Sequence, residues 1–152
     1  MLIQARGRLT DDIAVTLQVW DEKLDDLSKK WGEERKSLLE SIKTYAENAY
    51  LELVGGEVSL DLNYDPPWLE KGLLQVFEEM RGDELRRGTT LVGPHRDEIY
   101  VFLSGLPART HASQGEQRTI ALSLRIAGHL LLENVHQTKP LLLLDDVFSE
   151  LD

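Results

Sequence analysis

Three short stretches near the end of the chain carry side chains able to meet a phosphate or a divalent cation. The first is Ser113-Gln114-Gly115-Glu116-Gln117, where a hydroxyl, a glycine and a carboxylate fall within one turn. Ser113 and Glu116 form a capping-box pattern, each satisfying one orphan amide at a helix start. Capping accounts for the serine and the glutamate but leaves the glycine over. Gly115 in a first turn costs about 1 kcal/mol against alanine and gives nothing to a cap. Bare backbone beside a hydroxyl does suit close approach of a phosphate, attracted by free amides and the helix dipole. A plain cap and a phosphate contact both fit these residues.

The second stretch is Leu141-Leu142-Leu143-Leu144-Asp145-Asp146, preceded by Pro140. It predicts a short strand buried on both faces, inside a parallel sheet. Its two acids would then sit beyond the carboxyl end, where open α/β sheets bind ligands. Adjacent carboxylates placed there call for a cation or a proton. Asp145 would hold hydrated Mg²⁺ and Asp146 would orient an attacking water; the alternative is a strand end facing solvent. The third stretch, Ser149-Glu150-Leu151-Asp152, is by itself no more than a helix cap.

These residues need elements to hold them. Behind Ser113, Ile120, Leu122, Leu124, Ile126, Ala127, Leu130 and Leu131 predict a helix apolar around much of its circumference, buried on more than one side. Earlier, Ile13, Leu17, Trp20, Leu24, Leu27 and Trp31 alternate in steps of four and three, the seam of a helix packing along another helix, with Thr10 as N-cap. A bend is expected at Gly32, after which Leu38, Ile42, Tyr45 and Ala49 resume the spacing until Gly55-Gly56 stops it. Val58, Leu60, Leu62 and Tyr64 then alternate as a half-buried strand ended by Asp65-Pro66-Pro67. Leu69, Leu73, Val76, Phe77 and Met80 predict one further helix closed by Gly82 or Gly88. A strand over 97–103, a turn at Ser104-Gly105 and a return strand over 106–110 complete the pattern. The expected divisions are a helical arm over 1–56, a strand and helix completing it over 57–88, and an α/β lobe over 89–152.

Composition limits what surrounds these elements. The 152 residues carry 27 acidic against 17 basic side chains, a net charge of -10 that repels a polyanion over most of the surface. Contact with nucleic acid would be local, with candidate patches at Lys29, Lys30, Arg35 and Lys36 and at Arg81, Arg86, Arg87, Arg96 and Arg109; interleaved carboxylates make solvated faces the alternative. The leucine run is far short of the ~20 apolar residues of a membrane span. Residues 1–8 have no signal-peptide apolar region, so a cytoplasmic setting is expected, and the absence of cysteine fits a reducing compartment.

The order helix start, leucine strand, acid-tipped loop resembles the C-terminal lobe of an ABC-type ATPase head: signature motif, Walker B strand, D-loop. The wording Gly93-Pro94-His95-Arg96-Asp97, Ala112-Ser113-Gln114-Gly115-Glu116-Gln117-Arg118-Thr119 and Leu143-Leu144-Asp145-Asp146-Val147-Phe148-Ser149-Glu150-Leu151-Asp152 resembles the RecF family. The segment around Trp20 is similar to that family's arm. The resemblance implies an α/β fold, part of a P-loop NTPase with a helical arm, in a protein that binds ATP and Mg²⁺. It implies ATP-dependent homodimers with nucleotide sandwiched between subunits, and action at gapped DNA with a RecR-type mediator. Ser113 and Gly115 would then contact the γ-phosphate held by the other subunit, with Gln114 and Glu116 shaping that surface. Asp145 would bind Mg²⁺ through water, Asp146 would be the catalytic carboxylate that orients the attacking water, and Ser149 and Asp152 would communicate across the dimer. Asp146 stands where many ABC ATPases have glutamate, which implies slow hydrolysis. The resemblance assigns no role to His95 or Arg96. Two other readings stay open: a non-catalytic module binding protein or DNA, and the head of another SMC-like ATPase.

One part of the pattern is missing. No G-x-x-x-x-G-K-[ST] occurs, and no glycine precedes a lysine, so the main phosphate cradle is expected in a longer polypeptide of which these residues are a piece. The 152 residues alone are predicted to show no submicromolar binding of Mg-ATP by isothermal titration, and such binding would contradict the reading.

Overall fold

The computed structural model describes Leu2 and residues 9–145. The chain forms two compact units, Met1–Lys36 with Asp65–Glu98 and Ser37–Tyr64 with Ile99–Asp152. Each unit is discontinuous in sequence, so the compact bodies are not the contiguous stretches 1–56, 57–88 and 89–152. Helix α1, Asp11–Val54, contributes to both. Acids at Asp11 and Asp12 favour its N-terminus, the Thr10 carbonyl accepts the Ala14 amide at 2.8 Å, and Gly55 at φ 69 ends it.

In the first unit α1 meets α2, Pro67–Lys71, and α3, Leu73–Arg87. The expected single helix here is two, because Gly72 at φ 90 leaves the helical region. Gly88, in the left-handed conformation, ends α3. The face of α1 turned inward also differs from the expected seam. Leu17, Ser28 and Gly32 are buried and Asp21 and Asp25 half-buried, while Trp20, Leu24, Leu27 and Trp31 are exposed. Specific polar partners explain this choice of face. Asp25 Oδ1 accepts the backbone N–H of Leu73 at 3.0 Å and of Leu74 at 3.3 Å, capping a helix whose own Gly72 has no side chain to do so.

Gly32 is not a bend, since α1 runs through it unbroken. A Cβ there would lie 2.7 Å from Cη2 of Trp68 and 2.9 Å from Cδ1 of Leu69. The glycine admits a tryptophan whose ring cannot retreat: Trp68 is buried with Leu73 and Phe77, and its Nε1 donates to Asp97 Oδ1 at 2.8 Å. At the far end of α3 the carboxylate of Glu84, 1% exposed, accepts the Leu91 amide at 2.9 Å and a guanidinium hydrogen of Arg81 at 3.4 Å. Arg81 also pairs with Asp21. Burial pushes the Glu84 and Asp21 carboxyls up, against the opposing pull of the Leu91 amide and Arg81 on Glu84 and of Arg81 on Asp21.

The second unit is built on a three-stranded antiparallel sheet in the order β1-β2-β3, with β1 Leu60–Asn63, β2 Tyr100–Leu103 and β3 Leu106–Pro107. The alternation expected from sequence places Leu60, Leu62 and Tyr64 inward. Leu60 faces Leu103 and Asn63 faces Tyr100. Ser104 and Gly105, both at positive φ, make the two-residue hairpin. The return strand is shorter than expected, because Pro107 has no N–H to extend the ladder and the chain turns into the short helix α4, Ala108–His111. Helix α5, Gln114–His136, lays Ile120 and Ala127 into a core with Ala46, Tyr50, Leu60, Leu62, Leu103 and Ala108. Its second half is less buried than expected, with Leu130, Leu132 and Val135 exposed.

The expected strand over Leu141–Leu144 is absent: the run has no regular structure, and Leu141 and Leu143 are 84% and 82% exposed. A strand exists only with a neighbour for its amides and carbonyls, and no described residue pairs with this one. No described helix is long and apolar enough to cross a membrane.

Two of the helical glycines, Gly32 and Gly82, give a stability test. Gly82 lies in open space within α3, so Gly82→Ala should raise stability by up to about 1 kcal/mol in urea unfolding. Gly32→Ala should lower it by about 1–3 kcal/mol despite the same gain in propensity.

Candidate functional site

Ser113 stands at the N-cap of α5 with φ -62 and ψ 166. Its Oγ accepts the Glu116 amide at 3.2 Å, and Glu116 Oε2 accepts the Ser113 amide at 2.7 Å, so both halves of the capping box are made. The Gln117 side chain secures the approach by donating to the Ala112 carbonyl at 3.0 Å. One turn on, the Thr119 hydroxyl donates to the Gly115 carbonyl at 3.0 Å. These bonds to backbone fix where the helix begins, and Gly115 falls in its first turn.

Capping does not exhaust the chemistry of this turn. Helix starts leave their first amides without intrahelical partners, and the cap here takes up the amides of Ser113 and Glu116. Those of Gln114 and Gly115 come first in the helix. A hydroxyl that accepts one hydrogen bond still has its own hydrogen to donate. Ser113, Gln114 and Glu116 are exposed and Gly115 half-buried. Gly115 has no positive φ, and a Cβ built on it would meet nothing within 4 Å. Among the described residues, then, neither backbone conformation nor packing requires a glycine at 115.

Glu116 is held below the usual carboxylate range, first by the hydrogen bond from the Ser113 amide and then by the Ser113 side chain. The acid that caps the helix is ionised at neutral pH. It is fully exposed, so water screens its influence on an incoming anion.

The other expected site residues are less constrained. Asp145 is exposed at the end of the leucine run. Asp146, Ser149 and Asp152 lie outside the described residues. No group of three or more acidic or histidine side chains able to hold a metal occurs among the described residues. A single carboxylate such as Asp145 suits Mg²⁺ only where phosphate oxygens and water complete the octahedron. The start of α5 offers free amides and a hydroxyl of the kind that suit a phosphate, and Asp145 is a single exposed carboxylate.

The basic patches are partly consumed by pairing. Arg81 is engaged by Asp21 and Glu84, and Arg86 by Asp83. Arg35 donates to the Pro94 carbonyl at 3.0 Å and lies 3.9 Å from Asp97. Arg96 donates to the Thr90 carbonyl at 3.1 Å and the Thr89 hydroxyl at 3.2 Å. Lys29, Lys30 and Lys36 remain exposed. The turn from Gly93 to Asp97 is thus pinned by Arg35, Arg96 and Trp68, with His95 exposed on it. Sequence reasoning missed the Trp68–Asp97 anchor; its one signal was a tryptophan directly after two prolines.

Known proteins bear on this arrangement in a graded way. No protein-family model matches the chain. A protein of Synechocystis sp. named DNA replication and repair protein RecF is 37% identical over 153 residues, 95% of this chain and 40% of that protein. One of the same name from Geobacter metallireducens is 39% identical over 145 residues, 90% of this chain and 40% of its own length. Two solved structures, described as the recombination mediator protein RecF-ATP and RecF-ATPrS in the RecFOR pathway, superpose with TM-scores of 0.84 and 0.86 at 28% identity. Each covers 99% of this chain and is itself covered over 42% of its length. The chain spans about two fifths of the length of these relatives. The fold is accordingly α/β, part of an ABC-type ATPase head with a helical arm. Within that class, the chain belongs to the RecF family over the stretch it matches.

Acid should act on the two units in opposite senses. Glu116 has a lowered folded pKa, so its contribution is present above the unfolded value and lost as pH falls through the folded one. Asp21 and Glu84 have raised values, so theirs is full below the unfolded value and lost as pH rises through the folded one. Amide exchange should show the start of α5 losing protection below about pH 4.3, the ordinary glutamate value. Over the fall from neutral to that pH, amides of α3 should gain protection.

Proposed function

We propose that the chain supplies one nucleotide-facing surface of a RecF-type ATP-dependent switch acting in recombinational repair and replication. The start of α5 serves as the signature motif, presenting Ser113, Gln114, Gly115 and Glu116 to the γ-phosphate of ATP held by a second subunit. Asp145 binds Mg²⁺ through water and Asp146 is the catalytic carboxylate that orients the attacking water. Ser149 and Asp152 carry the state of one site across the dimer to the other. The Leu141–Leu144 run becomes a strand when residues outside this chain pair with it, which brings Asp145 to a strand end. When bound, ATP and Mg²⁺ supply the charge that joins the two subunits. This chain's own residues bind and orient the phosphate but do not cradle it.

The observation that carries the proposal is Gly115. Neither φ nor crowding requires glycine there, yet helix propensity disfavours it. A phosphate approaching the first-turn amides closely supplies the missing reason. The relatives' names support action on DNA, and the RecFOR pathway named with the solved structures supports a RecR-type partner. The homodimer at gapped DNA and a cytoplasmic setting belong to the same reading.

In a polypeptide of the relatives' length carrying these residues, Ser113→Arg should abolish ATP-dependent dimerisation in analytical ultracentrifugation while the monomer stays folded, its melting temperature lowered by no more than about 4 °C through loss of the cap. Gly115→Ala should weaken dimerisation at least tenfold without lowering stability. Dimerisation unaffected by both substitutions would overturn the proposal.

A further inference from the structure

The start of α5 contains more hydrogen bonding than a capping box requires. In the first two turns, Thr119 and Gln117 each donate backwards to a backbone carbonyl, Thr119 to Gly115 at 3.0 Å and Gln117 to Ala112 at 3.0 Å. A threonine hydroxyl bonded to the carbonyl four residues earlier is by itself ordinary. Thr16 makes the same bond to Asp12, as Ser41 does to Ser37. What sets Thr119 apart is the peptide group on which its bond lands.

Each of the two carbonyls belongs to a peptide group whose N–H makes one half of the capping box. The Gly115 carbonyl shares its peptide group with the Glu116 N–H, which donates to Ser113 Oγ at 3.2 Å. The Ala112 carbonyl shares its own with the Ser113 N–H, which donates to Glu116 Oε2 at 2.7 Å. Two relays result. One runs from the Thr119 hydroxyl through a peptide group to the Ser113 hydroxyl, the other from the Gln117 side chain through a peptide group to the Glu116 carboxylate.

Hydrogen bonds in series polarise one another, because a peptide group whose carbonyl accepts a bond becomes a better donor at its N–H. The first relay thus ends on a hydroxyl oxygen that accepts a strengthened bond and has its own hydrogen still to give. Ser113 becomes a stronger donor to an anion. The second relay ends on the group that competes for that hydrogen, since the Glu116 carboxylate lies within reach of the Ser113 hydroxyl. A carboxylate held firmly by the Ser113 amide takes less from the hydroxyl, so both relays favour donation outward.

Stability gives no reason for the arrangement. Threonine is a poor helix former, and its bond to the carbonyl four residues back slightly destabilises a helix. Thr119 is half-buried and Gln117 exposed, so neither is a core residue. The two bonds gain a use where the Ser113 hydroxyl has an acceptor to meet.

We propose that Thr119 is a positioning residue for the phosphate contact, acting through the Glu116 N–H on the Ser113 hydroxyl, and that Gln117 holds the Glu116 carboxylate off the same hydroxyl. Neither side chain touches the nucleotide. The inference rests on the nucleotide reading of this turn and adds the residues that set its strength. Polarisation strengthens a bond by about 10–30%, which for a charge-assisted bond to phosphate changes affinity about twofold. A sandwich of two nucleotides contains the contact twice, so dimerisation changes about fourfold.

Selective ¹⁵N labelling of glutamate and serine in a polypeptide of the relatives' length reads the relays by NMR without ATP. Thr119→Val should move the Glu116 amide proton upfield and that of Ser113 far less, and Thr119→Ser should restore it. Gln117→Met should do the reverse, moving Ser113 and not Glu116. With Mg-ATP, Thr119→Val should raise the dimer dissociation constant about fourfold in analytical ultracentrifugation, with Thr119→Ser at the starting value. Melting temperatures should stay within about 2 °C. A Glu116 amide unmoved by Thr119→Val, a Ser113 amide unmoved by Gln117→Met, or a dimer as weak with serine as with valine would overturn the inference. Dimerisation abolished by Ser113→Arg but untouched by Thr119→Val overturns it alone; dimerisation untouched by either removes the nucleotide reading with it.

Discussion

The reciprocal pair of hydrogen bonds between Ser113 and Glu116 is the interaction on which the rest of the functional account depends. It decides the residue at which α5 begins, and so puts Gly115 in the first turn and its amide at the end of a helix dipole. A shift of one residue in that start would turn the serine, the glycine and the two leading amides to different sides of the helix. The cap and the proposed phosphate surface are therefore not rivals. The cap is the device that holds the surface in place, and it uses the carboxylate and one lone pair of the hydroxyl to do so.

Packing behind the cap makes the turn available. Ile120 and Ala127 join the core with the sheet and Tyr50, so α5 is anchored from its second turn onward and its first turn is left exposed. Fixing the anchor away from the ligand keeps the amides preorganised, so little ordering remains to be done when an anion arrives. The acid-tipped leucine run contrasts with this. It has no sheet to join among the described residues, and its exposed leucines can form a strand only where a partner strand is supplied.

How much was legible in the sequence follows from how local each signal is. The glycine stop at Gly55, the alternation from Leu60 to Tyr64, the Ser104-Gly105 hairpin and the capping box are set within a few residues, and the structure contains all of them. The face by which α1 packs was not legible. Its apolar stripe points outward, and the inward face relies on small and polar residues whose partners lie about fifty residues away, as with Asp25 and Leu73. Gly32 shows the same limit, because a glycine read as a bend is a space for Trp68. The leucine strand is not formed among the described residues for a related reason: its pattern is that of a buried strand, but burial depends on neighbours that a local pattern does not contain. At the site, Ser113 through Glu116 were identified by chemistry and spacing, while the lack of a backbone or packing reason for Gly115 among the described residues became visible only with its surroundings in place.

The most direct measurement of the central claim is the amide exchange rate of Gln114 and Gly115 in a polypeptide of the relatives' length, with and without Mg-ATP. If this turn faces a nucleotide, exchange at both amides should slow at least tenfold on ATP addition, and only at protein concentrations where dimers form. Unchanged rates in an ATP-bound dimer would show that the phosphate is met elsewhere and would contradict the account.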